Sequence, residues 1–132
     1  MKNHKEILKT QATLDNQDFA AMRKIGKQMV DDMVDYLQNL EEKPVWQEIP
    51  NESIEFLQEK LPADPQNLDE IYAQFKKHIL PFNGGNIHPR YFSWVQGNGT
   101  LTGAFADFLA SSMNPNVTIA KQSAMYVDAQ II

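Results

Sequence analysis

Residues 15–40, DNQDFAAMRKIGKQMVDDMVDYLQNL, decide how the rest of this chain is read. Phe19, Met22, Ile25, Met29, Met33, Leu37 and Leu40 recur at three- and four-residue steps. An α-helix turns once in about 3.6 residues, so this spacing places them along one side of it. The segment is predicted to be an amphipathic helix with one apolar stripe to bury. At about 1.5 Å per residue it would run almost 40 Å. The rest of a 132-residue chain is too small to wrap so long a helix, so its stripe calls for a second surface.

Composition narrows the classes. The length is that of one ordinary domain, enough to bury roughly two thirds of the unfolded surface. With 42% hydrophobic and 22% charged residues, the chain reads as a folded protein. A net charge of −5, with no basic run longer than pairs such as Lys76-Lys77, argues against a nucleic-acid partner. The absence of cysteine excludes disulfides, thiolate metal sites and thiol nucleophiles. No stretch approaches the ~18 consecutive apolar residues of a membrane span. The start, MKNHKEILKT, lacks a signal peptide's apolar run, which makes the cytoplasm the default compartment.

Outward from the long helix, residues 1–14 are expected to be a polar arm or short helix, and Pro44 and Pro50 frame an extended stretch carrying Val45, Trp46 and Ile49. A short helix is expected over 53–60, closed by Pro62 and Pro65. NLDEIYAQFKKHIL (67–80) opens with Asn67 and has Glu70 three residues on, a capping-box start. Its buried stripe would be Leu68, Ile71, Tyr72, Phe75 and Ile79, and Pro81 ends it. A fourth helix is expected over 100–113, with Leu101, Phe105, Phe108 and Leu109 apolar, followed by an Asn114-Pro115-Asn116 turn. A fifth begins near Ala120 and reaches Ile132 without a capping residue, which reads as a cut chain.

Most reactive side chains have an ordinary explanation. His78 suits the negative end of its helix, and His78 with His88 lacks the spacing of a metal site. QGNGT (96–100) resembles a phosphate loop but has no P-loop lysine, so a turn and helix cap explain it better. Asp107 fits a hydrogen bond to a neighbouring loop, and Lys121 fits an exposed lysine near a helix start. HPRYFSWVQGNG (88–99) is different, because Tyr91, Phe92 and Trp94 are crowded between residues that break helices and strands. Tyr91 and Phe92 could pin the loop to the third and fourth helices. Trp94 with Val95 fits the wall of an apolar pocket, where an indole offers area and one N–H donor.

Taken in order, GKQMVDDMVDYLQNLEEKPVW (26–46), HILPFNGGNIHPRYFSWVQGNG (78–99) and ADFLASSMNPN (106–116) resemble the N-terminal part of the group II pyridoxal-phosphate-dependent decarboxylases. That family includes the aromatic-L-amino-acid, histidine and glutamate decarboxylases. The resemblance implies a mainly α segment: a helical flap that packs on a partner subunit over 15–80, then an aromatic pocket loop and the start of a fold-type I large domain over 81–132. Most of that domain would lie outside this chain. Trp94, Val95 and Asn116 would touch the substrate, with His88, Tyr91 and Phe92 supporting the pocket. Asn116, in the Asn114–Val117 loop, would approach the neighbouring subunit's pocket. Glutamate decarboxylases have a glutamine where Trp94 falls. A tryptophan there implies an aromatic or otherwise uncharged amino acid as substrate. The cofactor, pyridoxal 5′-phosphate, needs a carrier lysine, a ring-stacking histidine, an aspartate for its nitrogen and a Ser/Ala-rich cradle. None falls in matching context here, so this chain alone is expected to be inactive. The rival reading is a freestanding helical interaction module derived from such a gene.

Overall fold

The computed structural model describes residues 18–118 and 121–131, and its regular elements are all helical. They are α1 (Phe19–Gln38), α2 (Asn51–Gln58), α3 (Leu68–His78), α4 (Leu101–Met113) and α5 (Ser123–Ile131), with single 3₁₀ turns at Leu40–Glu42 and Leu80–Phe82. The mainly α expectation therefore holds. The polar arm over 1–14 lies outside the described residues, as does Ala120, near which the last helix was expected to begin. Two compact units divide the chain between Gly85 and Asn86.

The helix starts follow their caps. Asp18 accepts hydrogen bonds from the N–H groups of Ala20 and Ala21 at 3.0 and 2.9 Å, so α1 starts at Phe19; the expected start at Asp15 lies outside the described residues. Asn67 accepts from Asp69 N–H at 2.9 Å and opens α3 where the capping-box reading put it. Thr100 accepts from Gly103 N–H at 3.0 Å and opens α4. At the other end of α4, Asn114 takes a left-handed conformation (φ 42°), which asparagine tolerates better than other side-chain-bearing residues.

In the unit ending at Gly85, side-chain bridges join the helices. Tyr72 Oη donates to Asp32 Oδ2 at 2.8 Å, and Lys76 Nζ donates to the same oxygen at 2.9 Å, tying α3 to α1. Lys76 also lies 4.8 Å from the Tyr72 ring centroid, a cation–π distance. Between α2 and α3, the buried Ser53 hydroxyl and His78 Nδ1 are 2.9 Å apart, while Phe56 stacks on the His78 ring at 4.2 Å between centroids. Lys77 pairs with Glu52 outside them. His78 is thus a buried link between helices as well as a basic residue at a helix end.

Tyr72 gives this unit a pH signature. Burial, assisted by the Asp32 carboxylate, pushes its phenol up to about 12. The unfolded chain releases that proton near pH 10, so the contribution is complete below about pH 10 and is lost as pH climbs through the folded value. Asp32 has the opposite sign. Hydrogen bonds from Lys76 and Tyr72 hold its carboxyl below the usual range, so its contribution is present above the ordinary carboxylate value and lost as pH falls through the lowered one. Tyr72→Phe should flatten the alkaline loss of helicity and remove one late-titrating phenol from the ultraviolet absorbance. An unchanged alkaline titration would contradict this assignment.

Burial is much thinner than the length led one to expect. Among the described hydrophobic side chains only Ile25 and Tyr72 are buried. Of the stripe expected on α3, Leu68 and Phe75 are half-buried and Ile71 and Ile79 are exposed. On α1, Ile25 is covered and Met29 and Met33 are half-covered, but Phe19 is 76% exposed. The amphipathic pattern is present, and the described residues leave much of it uncovered.

Candidate functional site: the aromatic loop and the ends of α4

Pro89 presets its backbone for the second position of a β-turn, and Tyr91 N–H donates to the His88 carbonyl at 3.0 Å to close that turn. The buried His88 ring faces the same turn, its Nδ1 accepting Arg90 N–H at 3.0 Å. His88 therefore anchors the entry to the loop. Tyr91 is half-buried behind it. Phe92, in contrast, is 91% exposed and does not pin the loop to any helix. Trp94 and Val95 stand out fully, Trp94 at 76% exposure. The exit is held by the Thr100 cap of α4.

The apolar surface continues along α4, where Phe105, Phe108, Leu109 and Met113 are exposed. An exposed apolar run of this kind, beside a loop fixed at both ends, makes this the candidate surface for a ligand or a protein. Past the C-terminus of α4, Asn116 Oδ1 accepts from Thr118 N–H at 3.0 Å and from Thr118 Oγ1 at 2.6 Å, and the Asn116 carbonyl accepts from Gln122. These bonds fix the Asn116 side chain, and its Nδ2 makes no hydrogen bond among the described residues. Trp94 and Asn116 flank α4 at opposite ends, and its thirteen residues span about 20 Å.

The other reactive groups do not converge. Asp107 is exposed on α4, Lys121 is exposed before α5, and one face of His78 is covered by Phe56. Among the described residues no cluster of three or more His, Cys, Asp or Glu side chains could hold a metal, and no helix is long and apolar enough to cross a membrane. Sequence reading missed the Asp32–Tyr72–Lys76 bridge. The Tyr72–Lys76 spacing of four was visible, but their partner forty residues away was not.

No protein-family model matches the chain. Individual proteins do. A tyrosine decarboxylase from Narcissus pseudonarcissus is 28% identical over 102 residues, covering 76% of this chain and 19% of the relative. A tryptophan decarboxylase from Oryza sativa subsp. japonica is 29% identical over 101 residues, 74% of this chain and 20% of the relative. An aromatic-L-amino-acid decarboxylase from Bacillus atrophaeus is 29% identical over 114 residues, 84% of this chain and 24% of the relative. The chain is therefore similar to amino-acid decarboxylases of the aromatic-L-amino-acid and tyrosine kind, as its motifs implied. It spans about a fifth of the length of these curated relatives.

Proposed function

We propose that this chain is part of a pyridoxal-phosphate-dependent decarboxylase of aromatic amino acids, where it supplies one wall of the substrate pocket and a dimer-forming surface. The observation that carries this reading is the bare presentation of Trp94 and Val95, on a loop anchored at His88 and Thr100, in a chain similar to decarboxylases named for tyrosine, tryptophan and aromatic amino acids. An indole stacks on an aromatic side chain and excludes water from it. It offers one neutral N–H donor and so binds a side-chain carboxylate weakly, which favours uncharged substrates over glutamate. His88 and Tyr91 support the loop behind that wall, the exposed Phe92 adds to its apolar surface, and Asn116 Nδ2 is a donor for the substrate's polar end.

The described residues do not suit the cofactor itself. Lys121 is exposed in a turn, Asp107 is exposed on a helix surface, and the His78 ring already carries Phe56. We place the cofactor's anchoring groups outside residues 1–132, so this chain alone is expected to be inactive. We infer a pocket built from two subunits, Trp94 from one and Asn116 from the other, since the two residues lie on either side of α4 in the chain. The uncovered faces of α1 and α4 supply apolar surface for that pairing.

The test is to express the whole reading frame that carries this chain and measure carbon dioxide released from tyrosine, tryptophan and glutamate with pyridoxal 5′-phosphate supplied. Turnover of the aromatic amino acids with little or none of glutamate is expected. Preference for glutamate would overturn the substrate reading, and no turnover of any of them would overturn the enzyme reading.

A further inference from the structure

The chain contains two Asn-Gly steps, Asn83-Gly84 and Asn98-Gly99, which the fold treats in opposite ways. An asparagine followed by glycine is open to attack on its own side chain, because glycine has no Cβ to shield its amide nitrogen or to restrict its backbone. At Asn83 the side chain is held. Oδ1 accepts from Gly85 N–H at 2.9 Å, the asparagine turn in which a side chain binds the backbone two residues on, and Nδ2 donates to the Tyr36 hydroxyl. Gly85 in turn is buried against Val45. The side-chain carbon is thereby kept in place by groups other than Gly84.

At Asn98 nothing of the kind exists. Asn98 and Gly99 are exposed and belong to no helix. Among the described residues neither the Asn98 side chain nor the Gly99 N–H makes a hydrogen bond, and a Cβ on Gly99 would meet no atom within 4 Å. Two asparagines after α4 are shielded in other ways. Asn114 precedes Pro115, which has no N–H, and Asn116 precedes the β-branched Val117 with its Oδ1 held by Thr118.

We propose that Asn98 is a site of spontaneous deamidation in the folded chain and that Asn83 is protected by the fold. The Gly99 amide nitrogen attacks Asn98 Cγ, so that an N–Cγ bond forms, the Cγ–Nδ2 bond breaks, and the amide proton leaves with Nδ2 as ammonia. Water then opens the resulting five-membered imide at either carbonyl, giving aspartate or isoaspartate at 98. No oxidant, reductant or enzyme is required. The product carries a new negative charge two residues before Thr100, near the α4 N-terminus where the helix dipole favours an anion. This inference stands on the loop's own chemistry and is independent of the decarboxylase reading.

The experiment is to incubate the 132-residue chain in warm, mildly alkaline buffer, folded or unfolded in urea, and to follow both peptides by mass spectrometry and isoaspartate-specific methylation. In the folded chain the Asn98 peptide should accumulate carboxylate and isoaspartate while the Asn83 peptide keeps its amide. In urea the two should convert at comparable rates. Gly99→Ala, which the open space around Gly99 accommodates, should slow conversion at Asn98 by roughly tenfold, a barrier rise of about 1.4 kcal/mol. Retention of the Asn98 amide in the folded chain, or equal conversion at Asn83 there, would overturn the proposal.

Discussion

Gly85→Ala should cost the N-terminal unit about 2–5 kcal/mol, from left-handed backbone strain and overpacking together. Gly85 has φ +72°, and an added Cβ would lie 1.8 Å from the Val45 carbonyl oxygen. A backbone oxygen cannot swing aside as a side-chain tip can. The extended stretch after α1 would have to move away from the turn before His88. With only Ile25 and Tyr72 buried among the described apolar side chains, this unit holds little reserve against such a loss. Thermal melts followed by helical circular dichroism should show the variant melting far below the parent or already unfolded. Gly84→Ala is the control: its Cβ meets no atom within 4 Å and its φ is not positive, so the change should stay within about 0.5 kcal/mol. Equal melting of the Gly85 variant and the parent would refute the close approach to Val45.

Trp94→Ala in the whole enzyme should lower kcat/KM for aromatic substrates by about 10- to 100-fold, or ~1.4–2.8 kcal/mol of stacking and excluded water. Small uncharged amino acids should be affected much less, because they reach the indole poorly. Trp94 is 76% exposed, so folding and the cofactor's absorbance should be preserved. Loss of cofactor with unchanged substrate preference would remove Trp94 from the pocket wall.

Local rules made much of the fold readable. The stripe from Phe19 to Leu37 is a local period, and the Asn67 cap is a contact between residues two apart, so both could be read along the chain. What joins the helices could not. Ser53 and His78 are twenty-five residues apart and Tyr72 and Asp32 forty, and no period connects them. Gly84-Gly85 was a visible signal for a backbone that favours glycine, but the close approach of Gly85 to Val45, forty residues earlier, was not. In the loop, the breakers around Tyr91, Phe92 and Trp94 showed that these rings leave regular structure. Their separation into a half-buried Tyr91 and an exposed Phe92 and Trp94 depends on the turn at His88, which spacing alone does not orient.

The length of α4 has a hereditary consequence. On the proposed arrangement, each pocket takes Trp94 from one copy and Asn116 from the other, the first preceding α4 and the second following it. A mixed dimer of one copy damaged at Trp94 and one damaged at Asn116 then gathers both lesions into a single pocket and leaves its twin intact. Two defective alleles could restore each other's activity, whereas two alleles that share a lesion could not.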